Sequence, residues 1–101
     1  MGMGNLQRMA MQMQQEIVRV QEELAAAHVE GSAGGGVVKA VVNGKLEIVS
    51  VTVDASAVDP ADVEMLQDLI VAAISEAQRS ARELGEAKMA AVTGGMRLPG
   101  M

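Results

Sequence analysis

Between Pro60 and Val92 one helical period runs without a break. Val63, Leu66, Ile70, Ala73, Ala77, Ala81, Leu84 and Lys88 fall three and four positions apart, the spacing that gathers side chains on one face of an α-helix. Asp59-Pro60 reads as an N-cap followed by proline at the first helical position, with Asp62 and Glu64 complementing the dipole in the first turn. Leu69 and Ile74 widen the stripe near its start, and Thr93-Gly94-Gly95 ends it. Such a helix is roughly 50 Å long. A compact domain of about 100 residues has a radius of gyration near 13 Å, and this chain has 101 residues. The rod does not fit inside one globule.

A second rod precedes it. Residues 5–27, NLQRMAMQMQQEIVRVQEELAAA, place Leu6, Met9, Met13, Ile17, Val20 and Leu24 in one stripe, opposed by Gln, Arg and Glu. Asn5 is the expected N-cap, and the helix should run roughly 35 Å. Both rods must project past whatever lies between them. Their apolar stripes would then meet water unless a second copy covers them, so the chain is expected to be an obligate homodimer.

What lies between has the period of a sheet. Val37, Lys39 and Val41 alternate with Val38, Ala40 and Val42, and a second β-branched run extends from Leu46 to Val53. Asn43-Gly44 between them is the pattern of a tight primed hairpin turn. His28–Ser32, followed by Gly34–Gly36, forms a weaker third strand. The expected architecture is α+β in the order αβββα, one domain over residues 1–92. Its strands lie at about 28–33, 36–43 and 45–53, between helices at 5–27 and 60–92, and residues 93–101 form a flexible tail. A two-stranded ribbon is marginal alone in water; here its apolar face carries the start of the long helix, and its edge is available to a twin subunit.

Half of the residues are apolar, yet none is aromatic. The core must therefore be Val, Leu, Ile, Ala and Met, and the nine methionines supply adaptable packing. No cysteine is present, which fits a reducing cytoplasm. No secretory signal and no membrane-length apolar window of about 18 residues occur, so a soluble cytoplasmic protein is expected.

Enzyme patterns are missing. His28 is the single histidine, there is no cysteine nucleophile, and no G-x-S-x-G occurs. GSAGGGVVK lacks the Lys-Ser/Thr of a phosphate loop and precedes a strand rather than a helix, so a glycine turn is the better account. The carboxylates of residues 54–68 crowd a helix start, where dipole complementation explains them. Met9, Met11 and Met13 suit packing better than metal ligation, because Met11 points off the face of the other two. No catalysis, cofactor, metal or small-molecule substrate is expected.

The formal charge is −5, but it is segregated. The thirteen acids all lie in residues 16–30, at Glu47, and in 54–86. Residues 1–15, 31–46 and 87–101 contain none, and hold Arg8, Lys39, Lys45, Lys88 and Arg97. A fold that gathers these segments would show a basic face on an acidic body.

The Met/Gln-rich first helix, GGGVVKAVVNG, VTVDASAVDPADVEMLQDLIVAAISEA and the TGGMRLPG tail together resemble the YbaB/EbfC family of bacterial nucleoid-associated proteins over roughly residues 5–100. The resemblance implies a homodimer whose long helices spread like tweezers from a central sheet, binding duplex DNA on the chromosome in the cytoplasmic nucleoid. It also implies contacts on the projecting helices. At the matching positions these are Arg8, Gln12, Gln15 and Arg19 on the first helix, with Arg79, Arg82 and Lys88 on the second. Arginine suits phosphates or guanine, and glutamine an adenine edge. The same residues also suit the solvated faces of amphipathic helices, with Arg79–Glu83 and Arg82–Glu86 as i,i+4 pairs. So few cations imply modest, salt-sensitive binding, and without aromatic stacking platforms single strands are disfavoured. The alternative function is a dimeric adaptor that docks a protein partner of DNA replication or repair.

Overall fold

The computed structural model describes residues 3–94. Helix α1 spans Met3–Ala26, strands β1, β2 and β3 span Val29–Ala33, Val38–Val42 and Ile48–Val53, and helix α2 spans Val63–Thr93. Short 3-10 turns occupy Gly34–Gly36 and Ala55–Ala57. The strands form one antiparallel sheet in the order β1-β2-β3, which gives the expected αβββα architecture. The radius of gyration is 19.7 Å and the longest dimension 72 Å, far from a compact sphere. Thr93 still belongs to α2, and the expected tail beyond Gly94 lies outside the described residues.

The core is thin and made of small side chains. Ala73, Ala77 and Ala81 form a ridge along α2 that is fully buried against Val38, Ala40 and Val42 of β2. Beneath the ridge lies Gly31 of β1. A Cβ there would stand 2.5 Å from the Ala73 carbonyl oxygen and closer still to the Ala77 nitrogen. The helix backbone therefore rests almost directly on the strand backbone. This seating holds α2 over β1 and β2 and leaves β3 to the side, with only Val53 of β3 joining the core.

The strand register shows what is left bare. Ile48, Val51 and Val53 pair with Val42, Ala40 and Val38, so they share the face that looks toward α2. Ile48 is nonetheless 53% exposed and Val51 39%. The opposite face carries Glu30, Ser32, Lys39, Ser50 and Thr52 around a half-buried Val41, which suits water.

Three local features depart from the sequence expectations. The connection from β2 to β3 is a loop over Asn43–Glu47 rather than a two-residue primed turn. Asn43 Oδ1 accepts from the N–H groups of Lys45 (2.9 Å) and Glu47 (3.0 Å), while its Nδ2 donates to the Glu47 carboxylate at 2.8 Å. The left-handed residue is Leu46, at φ 70°. That conformation costs about 1–2 kcal/mol, and the half-buried Leu46 side chain offsets it by packing against the core. Gly44 serves close approach instead: its N–H donates to the Leu24 carbonyl at 2.7 Å, and a Cβ would stand 2.6 Å from that oxygen. The loop thereby docks on the last turn of α1.

The second departure is the start of α2. Asp59-Pro60 opens a turn in which Asp59 Oδ1 accepts from Ala61 N at 2.9 Å and the Asp59 carbonyl accepts from Asp62 N. Asp62 is the N-cap, accepting from Met65 N at 3.2 Å. Proline at the second position of a turn is as well suited as proline at a helix start, and here the turn wins. Third, Asn5 lies inside α1 rather than capping it. Asparagine in a helix costs no more than about 0.7 kcal/mol, too little to set the boundary.

Candidate nucleic-acid interface

α1 is fastened at one end only. Val20 and Leu24 are its buried residues, and they lie alongside the C-terminal half of α2, where Leu24 lines one shallow depression with Ala81, Gly85 and Met89, and Val20 lines another with Ala91 and Val92. The two helices run antiparallel there. From Met3 to Gln12 every residue of α1 is exposed. Residues 3–15 form an arm that continues beyond the end of α2.

The structure distributes the seven candidate residues unevenly. Arg8, Gln12, Gln15 and Arg19, spaced 4-3-4, share one face of α1 and are exposed. Arg8 stands in the acid-free arm, with no ion pair among the described residues. Arg19 is clasped by Glu16 and by Glu23, the latter at 2.5 Å. Its guanidinium is held above the ordinary arginine value, by Glu16 first and Glu23 second. Lys88 is half-buried and donates to the other Glu23 oxygen at 3.0 Å. Glu16, Arg19, Glu23 and Lys88 thus form a neutral network across the α1–α2 contact. Glu23 lies below the usual carboxylate value because of it, through Lys88 first and Arg19 after.

Arg79 and Arg82 are exposed on α2 and form no ion pair among the described residues, so the i,i+4 pairs with Glu83 and Glu86 are not made. Arg82 lies level with Leu24. Sixteen residues of helix, roughly 24 Å, separate Leu24 from Arg8. The cations accordingly fall into two groups, one on the arm and one beside the sheet. Lys39 and Lys45 are also exposed. For Lys39 the strand alternation with Val38 and Ala40 already indicated the solvent face.

The acids are placed by local structure. Asp54 accepts from Ser56 N at 2.8 Å, which keeps its carboxyl below the ordinary value, and Asp59 and Asp62 close the turn and cap α2. This cluster sits at the N-terminal end of α2, while the arm leaves from the C-terminal end. Among the described residues, no group of three His, Cys, Asp or Glu side chains could hold a metal ion, and no helix is long and apolar enough to cross a membrane.

Residues 1–96 match the YbaB/EbfC DNA-binding family. A nucleoid-associated protein of Moorella thermoacetica is 53% identical over 103 positions, covering 99% of both chains. One from Chloroflexus aurantiacus is 50% identical over 97 residues, 96% of this chain and 97% of its own length. Among solved structures, an uncharacterized protein of Helicobacter pylori shares the fold, with a TM-score of 0.63 over 74% of this chain and 87% of that one at 24% identity. At half identity over nearly its whole length, this chain belongs to the YbaB/EbfC DNA-binding family.

Proposed function

We propose that the chain binds duplex DNA as a homodimer and acts as a nucleoid-associated protein in the cytoplasm, organising the chromosome and bearing on gene expression or repair without catalysis. The observation that carries this reading is the α1 arm, a bare helix with no acid among residues 1–15 of a chain whose net charge is −5. The relatives' designation as nucleoid-associated supports it. Arg8, Gln12 and Gln15 would meet DNA from the arm, and Arg79 and Arg82 from the body, whereas Arg19 and Lys88 would contribute less because Glu16 and Glu23 already match their charge.

The uncovered face of β3 supports the homodimer. Ile48 and Val51 form an exposed apolar strip, and the edge of β3 has neither a charge nor a proline to deter pairing. Burying such side chains fully is worth about 1.5–3 kcal/mol each. A twin copy would cover both strips at once.

The test combines sedimentation with a mobility shift on a random duplex across a salt titration, with wild type beside Arg8→Ala and Arg82→Ala. A dimer whose affinity falls steeply with salt, and weakens in both variants, is expected. A dimer that binds no duplex even at low salt would leave the adaptor role instead.

A further inference from the structure

We propose that the α1 arm lies in the major groove and favours A·T-rich duplex, reading it through Gln7, Arg8, Met11, Gln12, Gln14 and Gln15. The inference rests on the DNA-binding reading above and adds the groove, the base pairs and the side chains. At 3.6 residues per turn, these six positions occupy less than half of the helix circumference. All six are exposed. The other side of the arm carries Leu6, Met9 and Met13, which continue the stripe by which Val20 and Leu24 meet α2. The glutamine face is therefore the side turned away from the body, and a shallow open depression runs along it between Met11, Gln14, Gln15 and Val18.

Size selects the groove. A bare helix about 10–12 Å across enters a major groove about 12 Å wide and is excluded from a minor groove of about 6 Å. From Gly4 to Gln15 the arm spans roughly 18 Å, about five base pairs. Chemistry selects the bases. A glutamine amide presents N–H donors beside a carbonyl acceptor, so it can donate to adenine N7 while accepting from adenine N6–H, and the Met11 methyl suits the thymine methyl. Arg8 is the one cation of the arm, so phosphate attraction there is small. An arm with four glutamines and a single charge must draw its discrimination from base edges.

The experiment measures fluorescence anisotropy of the full-length protein on duplexes of about 20 base pairs. One is all A·T and one all G·C; two further A·T duplexes carry uracil for thymine or 7-deazaadenine for adenine. The A·T duplex should bind about tenfold more tightly than the G·C one. Both substituted duplexes should lose most of that advantage, since each changes only the major-groove edge. The double variant Gln12→Ala/Gln15→Ala should bind A·T and G·C alike; both residues are exposed, and circular dichroism verifies that α1 persists. Arg82→Ala should weaken both duplexes equally. Equal affinity for all four duplexes, or displacement by netropsin from the minor groove with no effect of 7-deazaadenine, overturns the groove assignment while DNA binding stands. Absence of binding to any duplex at low salt overturns the DNA reading, and this proposal with it.

Discussion

Gly31→Ala is the smallest change that tests how α2 is seated. The added methyl would stand 2.5 Å from the Ala73 carbonyl oxygen, with the Ala77 backbone nearer still. Ordinary contact lies at about 3.5–4.0 Å, so strand and helix must part by about 1 Å. The obstacle is helix backbone, which cannot rotate aside as a long side chain does. Separation also loosens the buried ridge of Ala73, Ala77 and Ala81 against Val38, Ala40 and Val42. Overpacking a tight core costs about 1–3 kcal/mol, and a clash with backbone belongs at the upper end. Restricting the unfolded chain returns about 0.4–1 kcal/mol. The steric term wins, and the net loss should be about 2 kcal/mol or more. For a domain of this size that lowers Tm by about 8 °C or more. Thermal and urea unfolding followed by far-UV circular dichroism measure it, at one fixed protein concentration because self-association links stability to concentration. Two other glycines calibrate the scale. Gly4→Ala has open space around it inside α1 and should gain about 0.5–1 kcal/mol. Gly35→Ala has open space but φ of 74°, and should lose about 1–2 kcal/mol. If Gly31→Ala falls within about 0.5 kcal/mol of wild type, α2 does not rest on the β1 backbone. The explanation for the uncovered β3 would fall with it.

Val51→Lys puts a charge on the bare face of β3 and should yield a folded particle of the 10.5 kDa chain mass in sedimentation, where wild type shows twice that; a variant that still dimerises relocates the proposed interface. Arg79→Ala and Arg82→Ala should each reduce the slope of log affinity against log salt by about one per subunit, read by anisotropy; an unchanged slope removes that residue from the contact. Glu23→Gln tests the network by pH. The folded carboxyl is depressed, so its stabilisation is complete above the unfolded value of 4.5 and is lost as pH falls through the lower folded value. The Tm gap between wild type and variant should therefore be widest near neutrality and close in acid, and a gap that stays constant with pH refutes the pairing.

The αβββα order is legible because each element has its own period: three-four spacing in the rods, alternation in the strands. The extension past a globule also follows from helix length alone. Where sequence pattern and structure part, two local solutions use the same residues. Asn-Gly suits a primed turn, but Gly44 is required by the Leu24 carbonyl 2.7 Å from its nitrogen, a contact between elements far apart in sequence. Asp-Pro suits a helix start and a turn equally, and Asp62, three residues on, supplied a competing cap. The candidate site divides in the same way. Spacing alone puts Arg8, Gln12 and Gln15 on one face. The capture of Lys88 by Glu23, 65 positions away in sequence, depends on the antiparallel docking of α1 on α2, which no local pattern encodes.

That docking changes how the net charge should be weighed. At physiological salt, exposed charges are largely screened beyond about 8 Å. The acids of residues 54–68 lie before α2 and in its first turns, and the arm departs at the other end of this 31-residue helix. The arm's potential is set by its own residues and by the acid that adjoins it, Glu16, which already faces Arg19. On this account Arg19 aids DNA binding by neutralising the acid next to the arm rather than by touching phosphate. Arg19→Ala should then weaken duplex binding a few-fold, because Glu16 is left unmatched beside the glutamine face. Arg19→Ala/Glu16→Gln removes that charge and should restore most of the affinity, while Glu23 keeps Lys88. Anisotropy at low salt compares wild type with the two variants. If the double variant remains as weak as Arg19→Ala, Arg19 meets the phosphates itself, and the neutral network opens when DNA arrives.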